Sequence, residues 1–241
     1  MDIQVADQAR TVEILWGRRP GPRRGPKPAL SLEVVARTGI GIADAEGLAA
    51  VSMQRVAADL GFTKMSLYRY VPGKAELVAV MADFAIGAPP AGTRAKDWRD
   101  RLDEWAHALL PRFRRHPWVV EATTGPRVFG PNELAWMERA VSALEGIGLR
   151  GGEQLDAVVV LVGHVRNLAH QTRGGPDANR TERRISALMS ELMREHGSEY
   201  PAVQAALTAA AEGGGQDQAL DFGLDRILDG IAALVDRRAK S

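Results

Sequence analysis

The side chains best suited to chemistry lie between positions 51 and 74, in the stretch VSMQRVAADLGFTKMSLYRYVPGK. No Asp or Glu occurs between Asp59 and Glu76, so this stretch presents cations and hydroxyls without carboxylates. A surface that contacts the phosphates of a nucleic acid excludes negative charge in this way. The donors and amphipathic rings concerned are Lys64, Ser66, Tyr68, Arg69 and Tyr70.

Two short helices are predicted to position these side chains. The first, residues 52–60, begins at a serine that suits an N-cap, and Gly61 follows at its C-cap. The second, residues 64–70, is preceded by Thr63 as a cap and is ended by Pro72, which cannot continue a helix. Two short helices joined by a glycine turn form a helix-turn-helix, whose second helix enters the DNA major groove. A packed αα-corner without a DNA-binding role has the same pattern.

The wider stretch AEGLAAVSMQRVAADLGFTKMSLYRYVPGKAELVAVM resembles the DNA-binding domain of the TetR family of bacterial repressors. The resemblance covers residues 30–86. Further along, RRHPW at 114–118 is similar to a phrase of the subgroup with a tetracycline-repressor type of C-terminal domain. The matching features are the Gly47 loop, the helix from Ser52 to Gly61, the Ser66-Leu67-Tyr68 core of the recognition helix, Tyr70 and Gly73-Lys74.

The resemblance also implies which residues contact DNA. Lys64 and Arg69 suit guanine, which offers two acceptors to a cationic donor. Tyr68, Tyr70 and Lys74 would bind phosphates and fix the register without reading sequence. The alternative for each residue is a solvated surface side chain. The predicted DNA-binding set is Ser52, Gln54, Thr63, Lys64, Met65, Ser66, Tyr68, Arg69, Tyr70 and Lys74.

Composition places the chain among ordinary globular proteins. Its 241 residues are 45% hydrophobic and 25% charged, and the lack of cysteine excludes disulfides, thiolate metal sites and a cysteine nucleophile. No signal-peptide pattern or bilayer-length apolar run occurs, so we expect a cytoplasmic protein without a membrane partner. Residues 1–74 carry 11 Lys+Arg and 7 Asp+Glu, whereas residues 75–241 carry 20 and 23. A basic front half fits DNA binding by that half.

Three segments are predicted along the chain. Residues 1–28 form a flexible basic N-terminal arm, 29–87 the helix-turn-helix DNA-binding domain, and 93–241 a ligand-binding and dimerisation domain. Within the arm, residues 1–15 form either a short helix or no structure, and disorder is favoured. The Pro/Gly-rich basic residues 16–28 either add phosphate or minor-groove contacts or form a solvated tail.

The predicted fold is all-α, with an N-terminal three-helix helix-turn-helix domain followed by a C-terminal helical domain. No strand alternation and no internal repeat is visible. We expect residues 119–130 to be irregular and residues 212–216 to be flexible, with Asn132 and Thr181 as helix caps. Beyond the helix-turn-helix, the predicted helices span residues 74–86, 97–116, 132–147, 153–172, 181–196 and 217–238.

Two of these helices, 153–172 and 217–238, are apolar over more of their circumference than one core requires. In the family the corresponding pair forms a four-helix dimer interface. Two-fold symmetry would also double the DNA length that one helix-turn-helix reads. We therefore expect a homodimer through these helices, the alternative being that both lie at the centre of a monomer.

The resemblance further implies a small-molecule pocket between the C-terminal helices, where apolar rings and a few polar groups are typical. His164 with Asn167 one turn on is the most suggestive pair, since polar groups in an apolar helix need partners. A histidine satisfied within the core is the alternative. We recognise no ligand set for a metal and predict neither a metal nor a cofactor. The predicted pocket residues are Trp105, Leu109, Phe113, Trp136, Met137, His164, Asn167 and Leu168.

Together with the resemblance, these patterns indicate a ligand-responsive transcriptional repressor. It would bind a pseudo-palindromic operator in double-stranded DNA as a homodimer and be released by a small molecule. One alternative is a ligand-independent DNA-binding protein. The other is an enzyme that uses the C-terminal pocket, although the sequence lacks HExxH, phosphate-loop and GxSxG motifs.

Overall fold

The residues described by the computed structural model are 2–17, 30–92, 95–171, 178–212 and 218–240. Across those ranges the chain forms helices and no strand, which confirms the predicted all-α class. None of these helices combines the length and the apolar character needed to cross a membrane. The helices are α1 (Asp2–Trp16), α2 (Leu32–Glu46), α3 (Met53–Asp59), α4 (Lys64–Leu67), α5 (Lys74–Ile86), α6 (Trp98–Arg115), α7 (Trp118–Ala122), α8 (Pro131–Ala143), α9 (Gly151–Gln171), α10 (Ala178–His196), α11 (Pro201–Glu212) and α12 (Ala219–Ala239), with 3₁₀ turns at Leu48–Ala50 and Gly197–Glu199.

Side-chain caps fix where the first helices of the DNA-binding half begin. The hydroxyl oxygen of Ser31 accepts from the backbone N–H of Val34 at 3.2 Å, and that of Ser52 accepts from Arg55 at 3.1 Å. Thr63 caps α4 in the same way. Each cap satisfies one of the N–H groups that a helix start leaves unpaired. Gly61, with a φ of 71°, supplies the left-handed residue that turns the chain from α3 to α4.

Helix α4 is shorter than predicted and ends at Leu67 rather than near residue 70. The chain then tightens into a turn, in which the N–H groups of Tyr70 and Val71 donate to the Leu67 carbonyl at 2.8 and 3.0 Å. Pro72 bars the helix from continuing beyond this turn, because the residue before a proline is disfavoured in the helical region. Leu67 and Val71 have no exposed surface, so the turn keeps this face of the motif in the core.

The N-terminal residues form helix α1, contrary to the disorder favoured for residues 1–15. Leu15 is 9% exposed and packs against α2 and α5. The indole N–H of Trp16 donates to the carbonyl of Phe129 at 2.9 Å. A short helix gains its stability from tertiary contacts of this kind, which a local sequence pattern does not reveal. Residues 18–29, which include all but the first two residues of the Pro/Gly-rich basic stretch 16–28, lie outside the described part of the chain.

The C-terminal helices also depart from the prediction. The segment 119–130 is not irregular throughout, because Trp118 and Val119 are buried and begin the short helix α7. Helix α10 begins before the predicted cap at Thr181, and α11 occupies a stretch for which no helix was predicted. Of the segment 212–216, expected to be flexible, all but the first residue lie outside the described part.

Helices α6, α8, α9 and α12 enclose the C-terminal core. An ion pair between Glu153 and Arg238 ties the start of α9 to the end of α12. The hydrogen bonds from Arg238 hold the pKa of the Glu153 carboxyl at about 2. The largest fully buried side chains of this core are Leu102, Trp105, Leu144, Leu161 and Leu224.

A buried carboxylate joins α5 to α8. One oxygen of Asp83, which is 1% exposed, accepts from the backbone N–H groups of Asn132 at 2.9 Å and Glu133 at 3.1 Å. The other accepts from the side-chain amide of Asn132 at 2.9 Å. Asn132 was predicted to cap α8. It lies instead within the first turn of that helix and donates to Asp83. Burial raises the pKa of Asp83, and these N–H donors oppose the rise.

Glycine at the N-cap position of α8 makes this approach possible. A Cβ at Gly130 would lie 2.2 Å from Oδ1 of Asp83 and 2.3 Å from its carboxyl carbon. The Gly130 N–H itself donates to the Glu133 carboxylate at 3.3 Å. The free N–H groups at the N-terminus of α8 therefore have two acceptors, Glu133 within the same helix and Asp83 from α5.

A second polar contact joins α2 to the C-terminal helices. The Asp44 carboxylate accepts from the indole N–H of Trp118 at 2.7 Å and lies 2.8 Å from Nδ1 of His116. The His116 and Trp118 rings pack edge to face with centroids 6.3 Å apart. The RRHPW phrase therefore lies where the two halves of the chain meet.

Replacing Gly130 by alanine should lower the free energy of unfolding by about 1–3 kcal/mol, the usual cost of overpacking. The reason is that the new methyl group would displace the Asp83 carboxylate from α8. Urea unfolding followed by circular dichroism, at one fixed protein concentration, measures the effect. Gly41→Ala is the control, because a Cβ at this exposed helical position meets nothing within 4 Å and should stabilise the protein. Equal stability of Gly130→Ala and the unsubstituted protein would contradict the assigned role.

Candidate functional site

Most of the predicted DNA-binding residues belong to the exposed surface of α3, α4 and the start of α5. Met65 is 73% exposed, and Nζ of Lys64 lies 5.6 Å from the ring centroid of Tyr68. Ser66 is half-buried, with its hydroxyl 3.0 Å from that of Thr63. The exposed members of the set are Ser52, Gln54, Thr63, Lys64, Met65, Tyr68, Arg69 and Lys74.

The cations of this surface are not neutralised by their neighbours. Among the described residues, Lys64, Arg69 and Lys74 form no ion pair. Glu76, the next acid along the chain, is only 6% exposed, so its carboxylate is withdrawn from the surface. Unpaired cations beside uncharged donors provide the positive potential that attracts a phosphate backbone.

Two polar side chains of the helix-turn-helix are engaged internally. The hydroxyl of Tyr70 donates to the carbonyl of Leu30 at 2.9 Å, so its hydrogen is not available to a phosphate, contrary to the predicted contact. Arg55 pairs with Glu46 at 2.8 Å and with Asp59 at 3.1 Å, and the hydrogen bonds that it donates to these carboxylates raise its pKa. Both side chains therefore connect parts of the N-terminal domain to one another.

A cavity of about 330 Å³ lies among α6, α8 and α9, with the end of α5 on its border. Five of the eight predicted pocket residues line it, namely Trp105, Leu109, Phe113, Trp136 and Met137. The other lining residues, which were not predicted, are Ile86, Thr123, Arg127, Phe129, Glu133, Val158, Val159, Val162, Gly163 and Arg166.

The remaining three predicted pocket residues lie elsewhere. The ring of His164 faces α12, where its Nε2 is 3.3 Å from the Leu220 carbonyl and a Cβ at Gly223 would lie 2.2 Å from the ring. Asn167 is exposed and Leu168 is buried in the core. The prediction was wrong for these residues because it chose the wrong face of α9. The face that lines the cavity carries Val158, Val162 and Arg166, whereas His164 points toward α12.

One end of the cavity is polar. Arg127 donates to both carboxylate oxygens of Glu133, at 2.6 and 2.5 Å. Arg166 donates to the carbonyl of Val120 at 3.1 Å and to the hydroxyl of Thr123 at 2.5 Å. Burial, together with the charge of Arg127, lowers the pKa of Arg166. The signal that sequence reasoning missed was this single Arg of α9, four residues after the apolar run AVVVLV at 157–162.

The walls of the cavity are bonded to the last residues of α5. The indole N–H of Trp136 donates to the carbonyl of Gly87 at 2.8 Å, directly after α5. The indole N–H of Trp105 donates to the Trp136 carbonyl at 2.9 Å, and the two rings pack edge to face with centroids 6.1 Å apart. Any molecule that displaces Trp136 therefore acts on the helix that follows the DNA-binding motif.

A histidine outside the cavity lies between two acids. The Nε2 of His107 is 3.0 Å from Asp221, and its Nδ1 is 3.3 Å from Asp103. All three side chains are exposed. The two ring nitrogens face different carboxylates, one on α6 and one on α12, so His107 connects these two helices.

Solved structures with this architecture include regulators with known ligands or DNA. ActR of Streptomyces coelicolor in complex with (S)-DNPA is 24% identical, with a TM-score of 0.67 over 88% of this chain and 100% of that one. ActR in complex with actinorhodin is 23% identical, with a TM-score of 0.68 over 86% and 97%. BioQ with its natural double-stranded DNA operator is 19% identical, with a TM-score of 0.56 over 85% and 99%. At these identities the likeness establishes the fold.

Sequence comparison establishes the family. Residues 34–81 match the profile of bacterial regulatory proteins of the tetR family, and residues 89–235 match the tetracyclin repressor-like C-terminal domain. The HTH-type transcriptional repressor DrrR1 of Streptomyces coeruleorubidus is 38% identical over 96% of this chain and 88% of its own length. Members of this family are DNA-binding transcription factors and not enzymes, so the enzyme alternative is rejected. With its helix-turn-helix and this C-terminal domain, the chain belongs to the TetR family and is a transcriptional repressor.

Proposed function

We propose that the repressor is ligand-responsive. A homodimer binds a pseudo-palindromic operator in the cytoplasm, and a small molecule in the cavity lowers its affinity for that DNA. The observation that carries the proposal is the hydrogen bond from Trp136, a wall of the cavity, to the carbonyl at the end of α5. A ligand can change operator affinity only if it favours one arrangement of the reading heads over another, and this bond connects the two sites.

In this proposal the two segments of the chain have different functions. Residues 29–87 bind DNA and residues 93–241 bind the effector and the second protomer. On the DNA-binding surface, Lys64 and Arg69 are the candidates for base edges, since a cation can donate to both acceptors of guanine. Lys74 is a candidate for a phosphate.

Dimerisation is supported by apolar side chains that one chain leaves exposed on α9 and α12. Val160 is 53% exposed and Phe222 is 65% exposed. They lie within the two segments, 153–172 and 217–238, that were expected to meet a second copy. Covering them against a symmetric partner would remove apolar surface from water and double the operator length that is read.

The test of the proposed function is a gel shift on the DNA upstream of the protein's own gene, followed by a screen for compounds that release it. A specific shift that weakens steeply with salt, and is reversed by a small molecule, is the expected result. Specific binding that no cavity-sized compound reverses would leave only ligand-independent repression.

Arg69→Ala and Lys64→Ala should each weaken operator binding by about 1–3 kcal/mol, the value of one base-specific cation. Lys74→Ala should weaken binding to all sequences and reduce the slope of log affinity against log salt by about one. Fluorescence anisotropy at two salt concentrations measures both effects. Arg194→Ala is the control, because this cation on α10 has 71% of its side chain exposed and lies outside the DNA-binding half. Equal affinities of Arg69→Ala and Arg194→Ala would remove Arg69 from the reading surface.

Val160→Glu should shift the protein from dimer to monomer, because an unpaired carboxylate buried in an interface costs several times the energy of a lost apolar contact. Sedimentation velocity over a range of concentrations reports the change. Leu134→Glu places the same charge at a side chain of α8 that is 42% exposed, and it should leave the dimer intact. A monomeric unsubstituted protein, or a dimer of Val160→Glu as tight as the original, would argue for a different interface.

Trp136→Phe should separate effector binding from DNA release. Phenylalanine keeps an aromatic wall but loses the N–H that bonds to Gly87. With a compound that releases the unsubstituted protein, the ratio of operator affinities without and with the compound should fall toward one, from a typical value of about 5 to 150. Titrations of DNA with and without the compound give the ratio. An unchanged ratio would place the coupling in another contact.

A further inference from the structure

The polar end of the cavity contains two cations and one carboxylate. Glu133 is already committed, since both of its oxygens accept from Arg127 and one also accepts from the Gly130 N–H. Among the described residues, no carboxylate lies within ion-pair distance of Arg166. The cavity therefore has one positive charge more than its own acids balance.

Arg166 is held in place by neutral oxygens alone. Both of its hydrogen bonds use Nη2, one to the Val120 carbonyl and one to the Thr123 hydroxyl. Its Nε and Nη1 atoms keep N–H groups that are not bonded to the described residues. The guanidinium carbon also lies 6.0 Å from the ring centroid of Phe113, which borders the cavity. A half-buried cation with fixed geometry and spare donors is suited to an oxyanion, to which guanidinium donates two parallel hydrogen bonds.

The other lining residues indicate the size and polarity of the rest of the ligand. Trp105, Phe113 and Trp136 present aromatic rings, and Leu109 and Met137 complete an apolar wall. The volume of about 330 Å³ is at the lower end of the range for drug-sized molecules. Apart from the Arg127 and Arg166 end, the lining offers few polar groups to a ligand.

We infer that the effector is a ring-containing, apolar organic acid whose single anionic group is bound by Arg166. The inference rests on the proposed ligand response and names the chemistry of the ligand. A neutral molecule of the same shape would leave the Arg166 charge without a counter-ion in a water-poor site, and it would bind more weakly for that reason.

Two dyes with the same ring skeleton test this directly. Anilinonaphthalene sulfonate carries one sulfonate, N-phenylnaphthylamine carries none, and both become fluorescent in apolar sites. Titrated into the full-length protein without DNA, the sulfonate should bind at least about tenfold more tightly than the neutral dye, the factor of one charge-assisted hydrogen bond.

Variants assign the preference to one side chain. Arg166→Met keeps an apolar chain of similar length and should abolish the preference by weakening the sulfonate alone, whereas Arg166→Lys keeps a cation and should retain most of it. Arg194→Met is the matched control, because Arg194 lies on α10, where Leu188 and Leu192 are exposed and could attract dye. Circular dichroism confirms that each variant is folded.

The outcomes are distinguishable. Three results would overturn the inference. The two dyes could bind equally, the sulfonate could show no saturable binding, or the preference could be lost in Arg194→Met but kept in Arg166→Met. If the neutral dye nevertheless releases operator DNA, the ligand response stands without the anion. If the Arg166-dependent preference is present but no dye or related acid releases DNA, the anion site stands and the proposed response fails.

Discussion

The structure depends on the carboxylate of Asp83 at the N-terminus of α8. It is a carboxylate of α5 set against the positive end of another helix, where three N–H groups bind it and the residue is only 1% exposed. Glu133 in the same turn also accepts from Arg127, and Trp136 one turn later donates to Gly87, the residue after α5. Helix α8, which borders the cavity, and helix α5, which follows the helix-turn-helix, therefore form one hydrogen-bonded unit. A displacement of α8 is therefore also a displacement of α5.

Both sites for which an anionic partner is proposed contain cations that have no ion-pair partner among the described residues. Arg55 has two carboxylate partners and serves the fold, whereas Lys64 and Arg69 have none among the described residues and face outward. The cavity repeats this contrast on a smaller scale, with Arg127 paired and Arg166 not. Burying a cation without a counter-ion costs free energy, so the half-buried Arg166 is the position where a bound anion would offset the larger penalty.

Sequence reasoning was most successful where the determinants are local. Ser52, Thr63 and Gly61 fix the helix-turn-helix through contacts within three or four residues, and the i, i+4 spacing of Trp105 and Leu109 places both on one wall of the cavity. It failed where a distant element decides. The direction of His164 depends on Gly223 of α12, and the stability of α1 and the contact of Asp83 with the start of α8 depend on partners far along the chain. Periodicity shows which face is apolar but not which helix covers it.

The contact of Asp44 with Trp118 and His116 has a mechanical consequence. The N-terminal half is fastened to the C-terminal half through α2 at Asp44, through α5 at Asp83 and through Trp16 at the end of α1. Contacts spread over three helices resist sliding or twisting of one half against the other. In the proposed response, a shift of α8 therefore reaches the recognition helix as a movement of the whole N-terminal half.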